Sequence, residues 1–141
     1  MSLQGVLPIV LDFFPKKPVE FEISSAQITS DAGLLPIVEF DEKIGLTKRF
    51  AAALSDDRKE SIVNHSKLAM VRQRVYGILA DYEDQNDHDS LRSDPVFKLI
   101  CKRSPTDGDL ASQPTLSRFE NAVTVADLKR LRGELPRRSH R

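Results

Sequence analysis

The sequence predicts a mainly α fold: a compact array of about five to seven short helices with a small N-terminal extended strand or hairpin. Two patterns lead there. From residue 31 onward apolar residues recur three and four positions apart, the spacing of one helix face, and Pro, Gly, Asp and Ser cut that stretch into short pieces. Before it, Val19, Phe21 and Ile23 alternate with polar neighbours in "VEFEISSAQIT", the period of a strand, and Pro15 and Pro18 hold the preceding chain extended.

Taken in order, the helices have recognisable starts and stops. Ser30 or Asp31 is positioned to cap a helix through "GLLPIVEFDEKIG", with Leu34, Leu35, Val38, Phe40 and Ile44 at helical spacing and Pro36 in the first turn. Gly45 ends it, and Thr47 is expected to cap "KRFAAALSDD", where Phe50 and Leu54 share a face. The clearest pattern is "HSKLAMVRQRVYGILADYED". Leu68, Val71, Val75, Leu79 and Tyr82 mark its buried stripe, leaving Arg72 and Arg74 on its surface. Asp94 followed by Pro95 is an N-cap with proline at the first helical position, opening "VFKLICKR", and "SPTDGD" is a loop. Ser112 or Gln113, then Pro114, starts "TLSRFENAV", with Leu116, Phe119 and Val123 on a narrow apolar face. Thr124 with Asp127 resembles a capping box for "VADLKRLRG", which Gly133 is expected to end. These readings divide the chain into an extended segment 1–30, a helical domain 31–133 and a basic tail 134–141.

Composition narrows the function classes. The 141 residues carry 21 basic and 21 acidic side chains, so the overall basic field of many nucleic-acid binders is absent. The charge is unevenly spread, however. Residues 46–80 carry 7 Lys and Arg against 3 Asp and Glu, and the last thirteen carry 6 against 1, which leaves two local basic segments as candidates. No run of apolar residues is long enough to span a membrane, and the first residues lack a secretion signal. Cys101, within the apolar run "VFKLIC", reads as a buried thiol suited to a reducing compartment; the expected location is the cytoplasm.

The stretch "YEDQNDHDSLRSDP" gathers Glu83, Asp84, Asp87, Asp89 and Asp94 around His88 and invites a metal reading. Asp84, Asp87 and His88 fall at i, i+3 and i+4, and oxygen ligands suit magnesium or calcium. Against that, the calcium-loop pattern fails, because Asp89 stands where glycine is required. A polar helix end and turn facing water, with Asx-type bonds to the backbone, explains the composition more simply. A metal-dependent hydrolase is therefore the weakest functional alternative. No GxSxG, CxxC, Walker, GxGxxG or HExxH pattern occurs.

"SQPTLSRFENAV" offers another chemistry. Gln113, Thr115, Ser117 and Arg118 place small hydrogen-bonding groups and a guanidinium near the start of one helix, as major-groove recognition helices do. The connection from the preceding helix is too long for a standard helix-turn-helix.

Three segments in order, "ITSDAGLLPIVEFDEKIGLTKRF", "RQRVYGILADYEDQNDHDSLRSDPVFKL" and "LASQPTLSRFENAV", resemble the N-terminal region of the group-1 DDE transposases of bacterial insertion sequences, over about residues 20–125. The resemblance implies a region preceding a ribonuclease-H-like domain, whose three separated carboxylates bind divalent metal such as magnesium for DNA strand cleavage and joining. None of the acids of "YEDQNDHDSLRSDP" matches that triad, so no catalytic residue and no metal ligand is carried over. "ELPRRSHR" differs from the family's continuation, and the chain is expected to be a truncated transposase without its own strand-transfer chemistry or cofactor. Pro36 also departs from the family pattern. The implied partners are transposon-end DNA and, for assembly, a second copy or a full-length transposase; the implied location is bacterial cytoplasm, at the nucleoid when DNA is bound. Arg72, Arg74 and Arg118 are the candidate phosphate contacts, and Gln113, Thr115 and Ser117 the candidate sugar or base contacts. The alternative is a protein-interaction fragment that dimerises or docks onto full-length transposase through an apolar face.

Overall fold

The computed structural model describes residues 9–14, 17–21, 29, 31–58 and 64–135, and the chain divides into two units, Met1–Ser30 and Asp31–Arg141. In the first, β1 (Ile9–Phe14) and β2 (Lys17–Phe21) pair antiparallel, with Ile9 opposite Phe21, Val10 opposite Glu20, Leu11 opposite Val19 and Phe14 opposite Lys17. The register shifts between Leu11 and Phe14. Pro18 lies in a two-stranded sheet, where each strand is an edge, the setting in which strands admit proline. The expected strand is thus the second arm of a hairpin; Ile23 and Ser30 lie outside the described residues.

The second unit is helical: α1 (Leu34–Ile44), α2 (Leu46–Ala53), α3 (Lys67–Leu79), α4 (His88–Leu91), α5 (Pro95–Ile100), α6 (Gln113–Asn121) and α7 (Val125–Glu134), with a 3₁₀ turn at Gln85–Asp87. The described helices bear out the mainly α expectation. Gly45 alone separates α1 from α2. Its φ of 67° closes α1 with an N–H bond to the Asp41 carbonyl, a left-handed cap that glycine adopts without a Cβ penalty. Asp81, at φ 71°, takes the same conformation after α3, where the Tyr82 amide reaches back to the Gly77 carbonyl at 2.9 Å.

Several caps match their sequence signals. Asp94 Oδ1 accepts from the amides of Val96 (2.8 Å) and Phe97 (3.0 Å) with Pro95 at the first helical position, and Thr124 and Asp127 form the reciprocal capping box of α7. Others differ. The start of α1 is held by the Asp31 main-chain carbonyl, 2.9 Å from the Leu34 amide, and its N-cap is Gly33. Thr47 lies inside α2 because its hydroxyl is committed to Asp41. Gly133 lies inside α7, which continues to Glu134.

The core is mainly aliphatic around two aromatic rings, with Tyr76, Phe97, Ile100, Val38 and Leu116 fully enclosed and α5 buried on nearly every side. At roughly 1.5–3 kcal/mol for each large apolar side chain removed from water, this burial is the main stabilising term. Two clusters hang from α3. Ala51, Leu54 and Val71 pack with Phe50, Leu68, Val75, Phe119, Val123 and Leu131; Met70, Ala111 and Leu116 pack with Phe119. Phe119 thereby links α6 to both.

The apolar stripes of α1 and α3 are shorter than their periodicity suggests. Phe40 is 62% exposed and Leu79 57% exposed, while Met70, Arg72, Gln73, Tyr76 and Gly77 occupy the buried face of α3. Helical spacing identifies Leu79 as apolar on one side of α3, but α3 is covered chiefly over its first three turns, so the last turn emerges into solvent. No helix among the described residues is long and apolar enough to cross a membrane.

Candidate nucleic-acid interface

The six candidate contact residues fall into two environments. Arg72 is 2% exposed, which corrects its expected surface position. Its Nε donates to Thr47 Oγ1 at 3.3 Å and its Nη2 pairs with Glu42. Thr47 belongs in turn to a buried polar knot. The Asp41 carboxylate accepts from the Thr47 amide (3.0 Å), the Thr47 hydroxyl and the Tyr76 hydroxyl (2.6 Å). Burial is the largest influence on Asp41 and raises its pKa, but the bonds from Thr47 and Tyr76 and the charge of Arg72 together outweigh it, and the carboxyl sits below its ordinary value. Tyr76 is pushed up by burial and by Asp41, so it remains a donor. The knot ties α1, α2 and α3 together, and sequence spacing gave no sign of it, because its members are up to 35 residues apart.

Arg74 is also engaged. Its Nε pairs with Glu120 of α6, Nη1 lies 3.0 Å from His88 Nε2, and Nη2 donates to the Glu83 carbonyl at 3.4 Å. His88 is fully buried, unlike the acids beside it: Glu83, Asp84, Asp87 and Asp89 are exposed. The imidazole rests on Gly77, where an added Cβ would stand 2.8 Å from His88 Cε1, so α3 needs glycine there to admit the ring. Burial, then the charge of Arg74, lower the His88 pKa to about 4 against weaker opposition from Asp87, Glu120 and Asp89; the ring is neutral near pH 7.

Gln113, Thr115, Ser117 and Arg118 are together on α6. Leu116, fully buried, and Phe119 anchor the inner face of this helix. The Gln113 amide donates to Asp89 Oδ1 at 3.1 Å, Thr115 Oγ1 lies 3.1 Å from Ser112 Oγ, and Ser117 Oγ accepts from Asn121 Nδ2 at 3.4 Å. Arg118 is exposed, and its guanidinium has no hydrogen-bond or ion-pair partner among the described residues. Of the three candidate arginines, it alone turns its charge to solvent.

The acidic stretch does not fit the divalent metal that the resemblance implies. Asp84 caps the 3₁₀ turn through the Asn86 amide (2.9 Å), Asp89 holds the start of α6, Asp94 caps α5, and the His88 nitrogens face Gln73 Nε2 and Arg74. Among the described residues no group of three or more His, Cys, Asp or Glu is placed to hold a metal ion.

Residues 12–140 match the family described as transposase DDE domain, group 1. The chain belongs to this DDE transposase family. The match is longer than the segments that carry the resemblance, taking in most of the β1–β2 hairpin, α7 and the tail "ELPRRSH", which had looked foreign to the family. Neither the curated proteins nor the solved structures supplied a match. The DDE transposase family acts on DNA, and α6 of this member carries the exposed Arg118 guanidinium, which has no hydrogen-bond or ion-pair partner among the described residues.

Proposed function

We propose that this chain serves as the DNA-binding and assembly region of a bacterial insertion-sequence transposase, with no strand-transfer carboxylate assigned among its described residues. Membership in the DDE transposase family supports the role, and the exposed Arg118 on α6 is the observation that carries the interface. Arg118 neutralises a backbone phosphate; Thr115, Ser117 and Gln113, on the same short helix, reach sugar or base edges. Arg74 pairs with Glu120 and so braces α6 from behind, and it is assigned to DNA only as far as that pair opens. Arg72 contributes by holding α1 to α3.

Fluorescence anisotropy with a duplex carrying the element's terminal inverted repeat should show binding that weakens with salt. Arg118→Gln should reduce the affinity and flatten the salt dependence by about one charge. An absence of binding even at low salt would overturn the reading. A second reading, a protein-interaction fragment that dimerises or docks onto full-length transposase, is favoured by the exposed Ile78, Leu79, Val125 and Leu128. Sedimentation of a stable dimer with no DNA affinity would select it.

A further inference from the structure

A cavity of about 780 Å³ lies at the N-terminal end of α3, and its charged lining comes from three separate parts of the sequence: Asp56 and Arg58, His65 and Lys67, and Lys102 and Arg103. Among the described residues of the lining, four cationic side chains stand with one carboxylate. Arg58 pairs with that carboxylate, Asp56, at 2.7 Å. Lys67 Nζ donates to the Leu54 carbonyl at 2.6 Å, and Arg103 donates to the carbonyls of Gly108 (3.0 Å), Asp109 (2.7 Å) and Asn64 (3.0 Å). Carbonyl oxygens orient these cations but do not cancel their charge. Lys102 pairs with Glu42 at 3.6 Å, yet Glu42 also serves Arg72 and Lys48, so one carboxylate is divided among three cations. The His65 pKa is lowered first by burial and then by the charges of Arg103, Arg58 and Arg92.

We propose that this basic cavity binds phosphate groups, either those of a DNA backbone or phosphate free in solution. Its size admits one or two phosphate groups, and two of its cations, Lys67 and Arg103, are held by main-chain carbonyls before any ligand arrives, which lowers the ordering cost of binding. Asp56 and Arg58 also line a neighbouring cavity with Thr115 and Arg118 of α6, so the two sites border one another, and variants at Lys67 and Lys102 tell them apart.

The test follows the His65 ring by NMR in the intact chain during two titrations, one with inorganic phosphate and one with a duplex of unrelated sequence. Movement of the ring with the duplex assigns the cavity to the DNA backbone; movement with inorganic phosphate alone assigns it to free phosphate. In either case Lys67→Gln combined with Lys102→Gln should abolish the response while leaving the remaining amide spectrum folded, and should lower the salt slope of duplex binding by about two if the backbone is the ligand. A His65 ring unmoved by both titrants overturns the proposal, even where Arg118-dependent DNA binding persists, and so does an unaltered response in the folded double variant. Loss of Arg118-dependent binding with the His65 response intact would instead remove the α6 reading alone.

Discussion

Arg72 and Arg118 are chemically identical and occupy opposite situations. Arg72 on α3 is enclosed, bonded to Thr47 and Glu42, beside a carboxylate that ties three helices; Arg118 on α6 stands in solvent with its fork unused. The same side chain is a structural strut where the protein supplies its acceptors and a candidate ligand contact where it does not. Residue type alone therefore says little about role. What separates the two is whether acceptors from distant parts of the chain converge on the guanidinium.

The strongest way to break this contrast is to remove the inner carboxylate. Asp41→Ala leaves Thr47 and the Tyr76 hydroxyl without their shared acceptor and removes the negative charge beside Arg72, and should cost about 3–5 kcal/mol, read by urea denaturation. A loss below about 1 kcal/mol would mean that the knot is incidental to the fold.

Acidification probes the other enclosed polar group with a smaller effect. The His88 pKa is depressed from its ordinary 6.5 to about 4, so the unfolded chain binds the proton first. Stability should therefore decline as pH falls below about 6.5 and go on declining toward pH 4. His88→Gln should flatten this part of the profile; a profile unchanged by the substitution would show that the ring titrates normally in the folded state.

The smallest effect belongs to the exposed arginine. Arg118→Gln should change thermal stability by no more than about 0.5 kcal/mol, since it removes no hydrogen bond or ion pair among the described residues. Combined with a drop in DNA affinity, that result would separate a binding side chain from a supporting one; a large loss of stability would place Arg118 in the same class as Arg72.

Local chemistry was legible in the sequence where the signal and its partner lie within one turn. Asp94–Pro95, the Thr124–Asp127 box and Gly45 all act within a few residues, and each was found where its pattern placed it. Thr47 was misread as a cap because its acceptor, Asp41, belongs to the preceding helix. The burial of Arg72 and His88 escaped for the same reason at longer range: Glu42 lies 30 residues from Arg72, and Gln73 lies 15 from His88. Hydrophobic periodicity assigns charged and polar residues to solvent by default, and only a folded partner reverses that. The group-1 DDE family was readable from ordered segments because an extended match does not depend on knowing which side chains meet.

Cys101 carries a different consequence. It is buried beside α3, with its Sγ 3.5 Å from the Ala69 carbonyl, and burial pushes its thiol up to about 12, far from the reactive thiolate form. It is also the chain's one cysteine. The side chain is only 5% exposed, which makes it a built-in clock: its labelling rate in native buffer reports how often the packing around it opens.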